Sequence, residues 1–313
     1  MNTSAQSEIF LATCHIQGNL FTFVRNLPSK AYAINQIFMI ILNGILMFST
    51  VLLNGIAVAT VAKSHLRSKV CYFLILVQSA IDFSVGLITI PLFIAYLVSP
   101  FVAVEICPVN AVMTQTYFLP CVLSVITLSA MTMERYIGVL YPYSYHSFVT
   151  KKRILAYVGG CGTVAVLVMA LSFLIRTLLK ILFAGALVLF FIFTAFAYTR
   201  IYLVVRRLSR PRNMLENEQI QDIGRWKAFQ RQVKHAKSCF LVVVCFFIFL
   251  LPISIPPTIF NFSPINKMVE QSWSMTFLIL NSSINSIIFY WTKSVLRKEA
   301  IKLLNSIWQE ISG

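Results

Sequence analysis

The sequence predicts an all-α integral membrane protein built as a bundle of seven transmembrane helices. Seven long stretches contain no Lys, Arg or Glu, namely 31–62, 70–104, 106–133, 154–175, 181–199, 238–266 and 271–292. A bilayer core about 30 Å thick requires roughly 20 apolar residues of helix, and each stretch is about that long or longer. Because backbone in lipid must satisfy its own hydrogen bonds, each stretch is expected to be helical. The mean hydropathy of +0.80 and the charged fraction of only 12% agree with this fold class.

The charge pattern divides the chain into three regions. We predict an extracellular tail over 1–32, the bundle over 33–292, and a cytoplasmic amphipathic helix and tail over 293–313. In this last region apolar residues alternate with Lys and Arg, which is typical of a helix lying on the inner leaflet. The seven helices are predicted at about 34–63, 70–97, 107–140, 153–175, 180–207, 235–260 and 270–292.

The basic residues are distributed very unequally between the two sides of this bundle. Of the 26 Lys and Arg residues, 21 fall on the side of the C-terminus and five on the side of the N-terminus. The positive-inside rule then places the N-terminus outside and the C-terminus in the cytosol. The net charge of +16 is explained by topology and by contact with anionic membrane lipid, so no nucleic-acid partner is expected. The sequons at Asn2 and Asn261 are predicted glycosylation sites on the outer side.

Two charged features within or beside the spans require a reason. Asp82 is the only acidic residue inside any of the seven stretches. A carboxylate at bilayer depth costs several kcal/mol unless it has partners. The third span ends in Glu134-Arg135-Tyr136, where ordinary snorkelling at a helix end would by itself explain the charges.

Five segments at consistent positions together resemble the rhodopsin-like (class A) family of G-protein-coupled receptors, as a divergent orphan member. They are VLLNG with Asn54, LVQSAIDF with Asp82, ERYIGVLYPYSY from Glu134, CFFIFLLP with Phe246 and Pro252, and NSSINSIIFYW with Asn285. The resemblance implies a receptor that binds an extracellular ligand in the outer half of the bundle. It also implies activation of a heterotrimeric G protein through Arg135 and outward movement of the sixth helix.

The resemblance further implies roles for individual residues. Glu134 would hold Arg135 in the inactive state, Tyr143 would insert into the G protein, and Tyr198 would meet Arg135 in the active state. The full coupling and activation set is Glu134, Arg135, Tyr136, Tyr143, Tyr198, Phe246, Pro252 and Asn285. A sodium ion acting as an allosteric modulator is the only cofactor implied. Its ligands would be Asp82, Ser124, Asn281 and Asn285.

The sodium assignment has an open alternative. One carboxylate and several neutral oxygens form the hard-ligand set that a small cation prefers. A hydrogen-bonded network around a protonated Asp82 would use the same side chains without an ion.

The chain departs from the family pattern at several positions. Ser286 and Phe289 stand where the seventh helix usually has Pro and Tyr, and Leu250 replaces the usual Trp of the sixth helix. Gln232 stands where an acidic residue is usual at the inner start of the sixth helix. We therefore expect Arg135 to be less restrained and ligand-free signalling to be raised.

The outer half of the bundle indicates the ligand class. Tyr117 stands where amine receptors have Asp, and no carboxylate is expected there to pair with an ammonium group. The candidates for the ligand pocket are Thr114, Gln115, Tyr117, Phe118 and Cys121. The outer half is apolar with a few neutral polar groups, which favours a peptide, a lipid or another non-amine ligand. Ordinary helix packing explains most of these residues equally well.

The usual outer disulfide of the family lacks its second cysteine here, because the second outer loop contains none. Cys107 lies close to the expected place, and Cys14 is the other cysteine expected on the oxidising side. Two alternatives remain open: Cys14 and Cys107 form a disulfide, or both are free thiols.

Other function classes have less support in the sequence. A non-coupling receptor-like protein, acting as a partner or scaffold, is the main alternative because the seventh helix has lost its Pro and Tyr. A transporter is less favoured because the inverted repeats or paired broken helices typical of that class are not visible. An enzyme is not expected, since the four His lie in predicted tail or loop regions and form no site.

Overall fold

A computed structural model describes residues 11–16, 19–24, 27–102, 107–170, 176–208, 219–254 and 263–312. Within these ranges the chain is helical except for one small β-hairpin and its connections. The long helices are α1 (Lys30–Lys63), α2 (Val70–Val102), α3 (Cys107–Leu140), α4 (Lys151–Ala170), α5 (Arg176–Leu208), α6 (Gln219–Ser254), α7 (Pro264–Thr292) and α8 (Ser294–Ser312). A 3-10 turn at His65–Ser68 precedes α2, and a short helix at Tyr145–Phe148 follows α3.

Several of these helices are long and apolar enough to cross a membrane. In the described part of the chain there are five such segments, Lys30–Lys63, Val70–Val102, Phe118–Leu140, Ala184–Arg207 and Gln232–Pro252. On α1, Ile34, Phe38, Ile41, Ile45 and Phe48 are all more than half exposed. Their spacing of three or four residues places them on one face of the helix, where lipid would cover them. The predicted helical membrane class is therefore confirmed, and five helices of the described part of the chain could cross a membrane. Seven spans and the orientation stay predictions.

The N-terminal region contains a β-hairpin that the sequence analysis did not predict. Strand β1 (Leu11–Ile16) pairs antiparallel with β2 (Asn19–Val24), with Leu11 opposite Val24 and Ile16 opposite Asn19. Both strands contact α3, and β2 also contacts α7. Thr, Phe and Val in two short runs around Gln17-Gly18 were the available sequence signal, because such residues are enriched in strands.

Helix α3 occupies the centre of the bundle. It contacts α2, α4, α5 and α6, while α7 contacts α1, α2 and α6. Aromatic pairs also join α5 to α6, since the ring of Phe190 lies 5.4 Å from that of Phe247 and 6.2 Å from that of Phe246. Because α6 contacts both α3 and α7, its movement would disturb packing on two sides.

Helix α2 is interrupted by a π-helical turn at Val85–Thr89. Pro91 lies two residues after the turn. Its nitrogen carries no hydrogen and its ring crowds the carbonyl four residues earlier, within the turn, which accounts for the altered hydrogen bonding. Within the turn, a Cβ on Gly86 would lie 2.7 Å from Cγ2 of Val51, so α1 and α2 approach closely there. Thr89 donates a 2.7 Å hydrogen bond to the carbonyl of Thr116 and fixes the turn to α3.

Candidate functional site

A buried polar cluster surrounds Asp82 at the middle of α2. Asp82 is 1% exposed, and its Oδ2 accepts hydrogen bonds from Gln78 Nε2 at 3.2 Å and from Asn285 Nδ2 at 3.1 Å. Gln78 Nε2 also lies 3.0 Å from Ser124 Oγ, to which it donates. The cluster thus connects α2, α3 and α7. Sequence reasoning missed Gln78, although its position four residues before Asp82 puts both side chains on one helix face.

The oxygen atoms of this cluster suit a small hard cation. Asp82 Oδ1, Asn281 Oδ1 and Asn285 Oδ1 are buried, and none of them accepts a hydrogen bond from the residues that the structure describes. Buried polar atoms normally have partners, so three such oxygens near one polar cluster require an explanation. Carboxylate and amide oxygens are ligands that hard cations prefer. The residues predicted to hold sodium therefore fit that ion, and Asp82, Asn281 and Asn285 would supply these oxygens to it.

A small cavity lies beside the cluster. Its volume is about 30 Å³, and Ser124, Asn281, Cys121 and Phe246 are among its lining residues. That is room for about one water molecule or ion. It is too small for an organic ligand, whose pockets run to about 300–1,000 Å³. Cys121, a candidate for the ligand pocket, lines this small cavity, and its assignment to a ligand pocket stays a prediction.

Helix α7 is fastened to α1 by hydrogen bonds around Asn54. Ser286 Oγ donates to Asn54 Oδ1, and Asn54 Nδ2 donates to the carbonyl of Ser282 at 3.3 Å. Tyr290 donates to the carbonyl of Leu53 at 3.2 Å. Both residues that depart from the family pattern thus make contacts in the bundle. Ser286 forms a hydrogen bond with α1, and Phe289 is 1% exposed in the core. The sequence analysis interpreted Ser286 and Phe289 only as the loss of the usual Pro and Tyr.

An ion pair and two neutral side chains form a second cluster at the end of α3. Glu134 and Arg135 are each 2% exposed, and Arg135 Nε and Nη2 donate to the two carboxylate oxygens of Glu134. The hydroxyl of Tyr145 donates to Glu134 Oε1 at 2.5 Å. Arg135 Nη1 donates to Gln232 Oε1 on α6 at 2.9 Å. Burial, and then the negative charge of Glu134, raise the pKa of Tyr145, so its hydroxyl remains a donor.

The contact with Gln232 shows how Arg135 is held without an acidic residue on α6. The lack of an acidic residue at this position was expected to leave Arg135 less restrained, and Gln232 restrains it through a neutral hydrogen bond. Such a bond to a charged group contributes roughly 1.5–3 kcal/mol, and it lacks the charge attraction of an ion pair. The restraint is therefore of a different kind, and raised ligand-free signalling stays a prediction.

The other predicted activation residues lie at separate places. Tyr143 is 87% exposed beyond the end of α3, and Tyr136 is half-buried with its ring 6.1 Å from that of Phe196. Tyr198 is buried, and its hydroxyl has no hydrogen-bond partner among the described residues. Arg135 thus bonds Glu134 and Gln232, and not Tyr198. Phe246 is fully buried, and Pro252 is half-buried inside α6.

The amino-terminal part of α7 contains a carboxylate that the sequence analysis did not consider. The helix begins at Pro264, earlier than the predicted start at about 270, so Glu270 lies within the helix and not at its first residue. Glu270 Oε1 accepts a hydrogen bond from Ser274 Oγ at 3.1 Å, whereas its Oε2 is buried and unpaired in the described part of the chain. Sequence reasoning missed Glu270 because it stood at the boundary of the uncharged stretch.

Several predicted site residues lie outside the described residues or side chains. Cys14 lies in β1 and Cys107 begins α3, but their side chains are not described. The same holds for the pocket candidates Thr114, Gln115 and Tyr117, whereas Phe118 is half-buried. The predicted glycosylation sites Asn2 and Asn261 also lie outside the described residues. The disulfide and both sequons remain predictions.

The comparison with known families bears on the region that contains both polar clusters. The sequence model of the 7 transmembrane receptor (rhodopsin family) matches residues 53–181. Residues 53–181 are therefore similar to this receptor family. The resemblance inferred from the motifs is confirmed there, and the matched range includes Asn54, Asp82, Glu134 and Arg135. No curated protein matches the chain.

The similarity to this family bears on the broad class of the molecule. The family is one of receptors and not of enzymes, and its members generally have G proteins and extracellular ligands as partners. Together with the five apolar helices, the match supports a multi-pass membrane protein of the receptor type. The match ends near the start of α5, so the roles of Gln232, Asn285 and Ser286 are argued from their contacts.

Proposed function

We propose that the chain is a G-protein-coupled receptor that activates a heterotrimeric G protein through Arg135. The observation that carries this proposal is the buried Glu134–Arg135 pair with its hydrogen bond from Arg135 to Gln232. This bond links α3 to α6 and ends on a neutral amide. Outward movement of α6 would break it and free Nη1 of Arg135, at the end of α3 where Tyr143 is exposed.

The proposed topology has seven spans, with the N-terminus outside and the receptor in the plasma membrane. The 21 basic residues on the side of the C-terminus support this orientation. In it, α4 and α7 complete the bundle, and α8 lies against the inner leaflet. Leu296 and Ala300 of α8 are buried, whereas Ile301, Leu304 and Trp308 are exposed and would contact lipid.

The ligand would bind in the outer half of the bundle. A peptide, a lipid or another non-amine ligand is proposed on the basis of the apolar candidates near Phe118. Glu270 adds one buried carboxylate oxygen that can accept a hydrogen bond from the ligand. Among these classes, a ligand with an amide or other N–H donor fits this oxygen best.

Sodium is proposed as an allosteric modulator bound near Asp82. The support is the group of buried oxygens on Asp82, Asn281 and Asn285 that lack hydrogen bonds. A bound ion would neutralise the carboxylate and hold α2 to α7. The alternative network around a protonated Asp82 would leave salt identity without effect, which makes the two separable.

A second candidate is a receptor-like protein that does not couple and acts as a partner or scaffold. The observation that favours it is the fastening of α7 to α1 through Ser286, Asn54 and Tyr290. If these bonds prevent α7 from moving, the Arg135 end of the bundle would stay closed.

The deciding experiment is nucleotide exchange on a panel of G proteins in membranes with matched surface expression. The variants are the wild type, Arg135→Ala and, as a control, the exposed Arg67→Ala. Basal exchange that disappears only in Arg135→Ala would support coupling and name the G-protein class. Exchange that persists in Arg135→Ala would contradict the assigned role of this residue. Binding of a ligand without any exchange, under every G protein tested, would favour the non-coupling candidate.

A further inference from the structure

The amide of Gln78 lies between two of the residues predicted to hold sodium. Its Nε2 is 3.2 Å from Oδ2 of Asp82 and 3.0 Å from Oγ of Ser124. Gln78 is completely buried, and Asp82 and Ser124 are at most 5% exposed. A side-chain amide has two N–H donors, and here one is directed at a carboxylate and the other at a hydroxyl. Gln78 therefore joins α2 to α3 through side chains that the ion would also use.

The polarity of this amide opposes a cation. The N–H end of an amide is the positive end of its dipole, and in Gln78 this end faces the oxygens of Asp82 and Ser124. A hydrogen bond donated to a carboxylate stabilises its negative charge without an ion. A cation at these oxygens would meet the N–H groups of Gln78 as like partial charges. The neutral amide thus supplies part of the positive potential that a cation would otherwise supply.

The carbonyl end of the same amide lacks a partner. Oε1 of Gln78 is buried and accepts no hydrogen bond from the residues that the structure describes. A buried acceptor without a donor costs free energy, which offsets part of the gain from the two bonds of Nε2. The cavity of about 30 Å³ beside the cluster is lined by Ser124 and Asn281, and it has room for one ion. Ser124 would then have the amide on one side and the ion on the other.

Asn285 donates to the same carboxylate oxygen but is placed differently. Its Nδ2 lies 3.1 Å from Oδ2 of Asp82, and its Oδ1 is buried and unpaired in the described part of the chain. Rotation of the Asn285 amide would exchange this single N–H contact for an oxygen ligand. Rotation of the Gln78 amide would remove two hydrogen bonds at once, one from Asp82 and one from Ser124. Asn285 is therefore suited to hold the ion, and Gln78 to oppose it.

We propose that Gln78 is a built-in neutral competitor of the cation at Asp82 and sets how tightly sodium binds. This role rests on the sodium site proposed above and adds the residue that determines its affinity. Without sodium, the amide connects Asp82 to Ser124 and keeps α2 attached to α3. When sodium is present, the same N–H groups weaken the attraction between the carboxylate and the ion. The affinity for sodium is therefore lower than the oxygen ligands alone would give.

The test measures the thermal midpoint of the purified full-length protein in detergent while sodium chloride replaces choline chloride at constant ionic strength. The variant is Gln78→Met, which removes both N–H donors and keeps an unbranched, flexible side chain. The control is Gln36→Met near the start of α1, because Gln36 is also buried and its Oε1 also lacks a partner among the described residues.

We expect the half-saturating sodium concentration to be about tenfold lower in Gln78→Met than in the wild type, and unchanged in Gln36→Met. The reason is that a hydrogen bond to a charged group corresponds to about this factor or more in a binding constant. Gln78→Leu, which also lacks donors, is measured in parallel so that a folding defect in one variant does not decide the result. A sodium response that is seen in Gln78→Met and not in the wild type would also support the proposal.

The contrary outcomes separate Gln78 from the sodium site itself. Equal half-saturating concentrations in the wild type and Gln78→Met would overturn the role of Gln78 and leave the sodium site in place. A higher concentration in Gln78→Met would make Gln78 an ion ligand and also overturn its role as a competitor. No response in either protein would overturn both proposals. Combining Asp82→Asn with Gln78→Met should abolish the response, and a response that survives would place the ion elsewhere and contradict the competition.

Discussion

Gln232 accepts a hydrogen bond of 2.9 Å from Nη1 of Arg135, and this bond joins α6 to the end of α3. In the same cluster the carboxylate of Glu134 accepts from Arg135 on one side and from Tyr145 on the other. The guanidinium is therefore held by one charged and one neutral partner. The contact between Arg135 and α6 therefore depends on the neutral partner, Gln232.

Two substitutions of Gln232, to Glu and to Ala, should change ligand-free activity in opposite directions. Gln232→Glu would add an ion pair across α3 and α6 and should lower basal nucleotide exchange. Gln232→Ala would remove the bond and should raise exchange several-fold, since a hydrogen bond to a charged group contributes roughly 1.5–3 kcal/mol. Gln230→Glu, an exposed residue of the same helix, is the matched charge control. Equal exchange in Gln232→Glu and Gln232→Ala would contradict the restraining role.

Loss of the Tyr145 hydroxyl should weaken the same cluster from the other side. Tyr145→Phe leaves the ring in place but removes the donor to Glu134 Oε1, so the carboxylate keeps Arg135 as its partner. We expect a lower thermal midpoint, by an amount equivalent to about 1–3 kcal/mol, in a thermofluor assay on protein in detergent. Tyr143→Phe is the control, because Tyr143 is 87% exposed. The idea fails if both substitutions have the same effect.

Sodium should stabilise the receptor through Asp82. The thermal midpoint of the wild type is expected to be higher in sodium chloride than in potassium chloride at equal concentration, because the smaller ion matches the cluster better. Asp82→Asn removes the charge and should abolish this difference. A sodium-specific increase that is unchanged in Asp82→Asn would rule out this site, and a wild type indifferent to the two salts would favour the protonated network.

The close approach of α1 and α2 at Gly86 should make this position intolerant of a methyl group. A Cβ there would lie 2.7 Å from Val51 Cγ2 and 3.2 Å from the backbone nitrogen of Val51. We expect Gly86→Ala to destabilise the protein by about 1–3 kcal/mol, measured as a lower thermal midpoint. Gly44→Ala in α1 should have little effect, since open space surrounds its position. Equal midpoints for the two variants would show that the helices can separate without cost.

The sequence predicted the helical membrane class because uncharged apolar stretches of this length are typical of membrane-spanning helices. It also predicted that Asp82 needs partners, since a charge at bilayer depth must be compensated, while the family resemblance implied Glu134 as the partner of Arg135. It could not identify Gln78 as a partner of Asp82, Gln232 as a partner of Arg135 or Ser286 as a partner of Asn54, because amide and hydroxyl side chains are common in helices and carry no pattern of their own. Their roles follow from distances between helices, which a sequence read alone does not contain.

Two further features were missed for different reasons. The β-hairpin depends on pairing between two runs of six residues, too short for a strong alternation pattern. Glu270 was treated as the end of a span because a charge was read as a boundary. The helix continues past it to Pro264, and Ser263 caps the helix by accepting a hydrogen bond from the amide of Asn266. A capping serine followed by proline was the available signal for that start.

The π-helical turn at Val85–Thr89 has a consequence for comparing this chain with its relatives. A π turn accommodates one more residue than an α turn, and one residue corresponds to a rotation of about 100°. Beyond position 89, each side chain of α2 therefore faces where its neighbour would face in an uninterrupted helix. An alignment with a relative that lacks this turn requires a one-residue gap here. Without the gap, residues up to Val102 would be matched to positions on the wrong face.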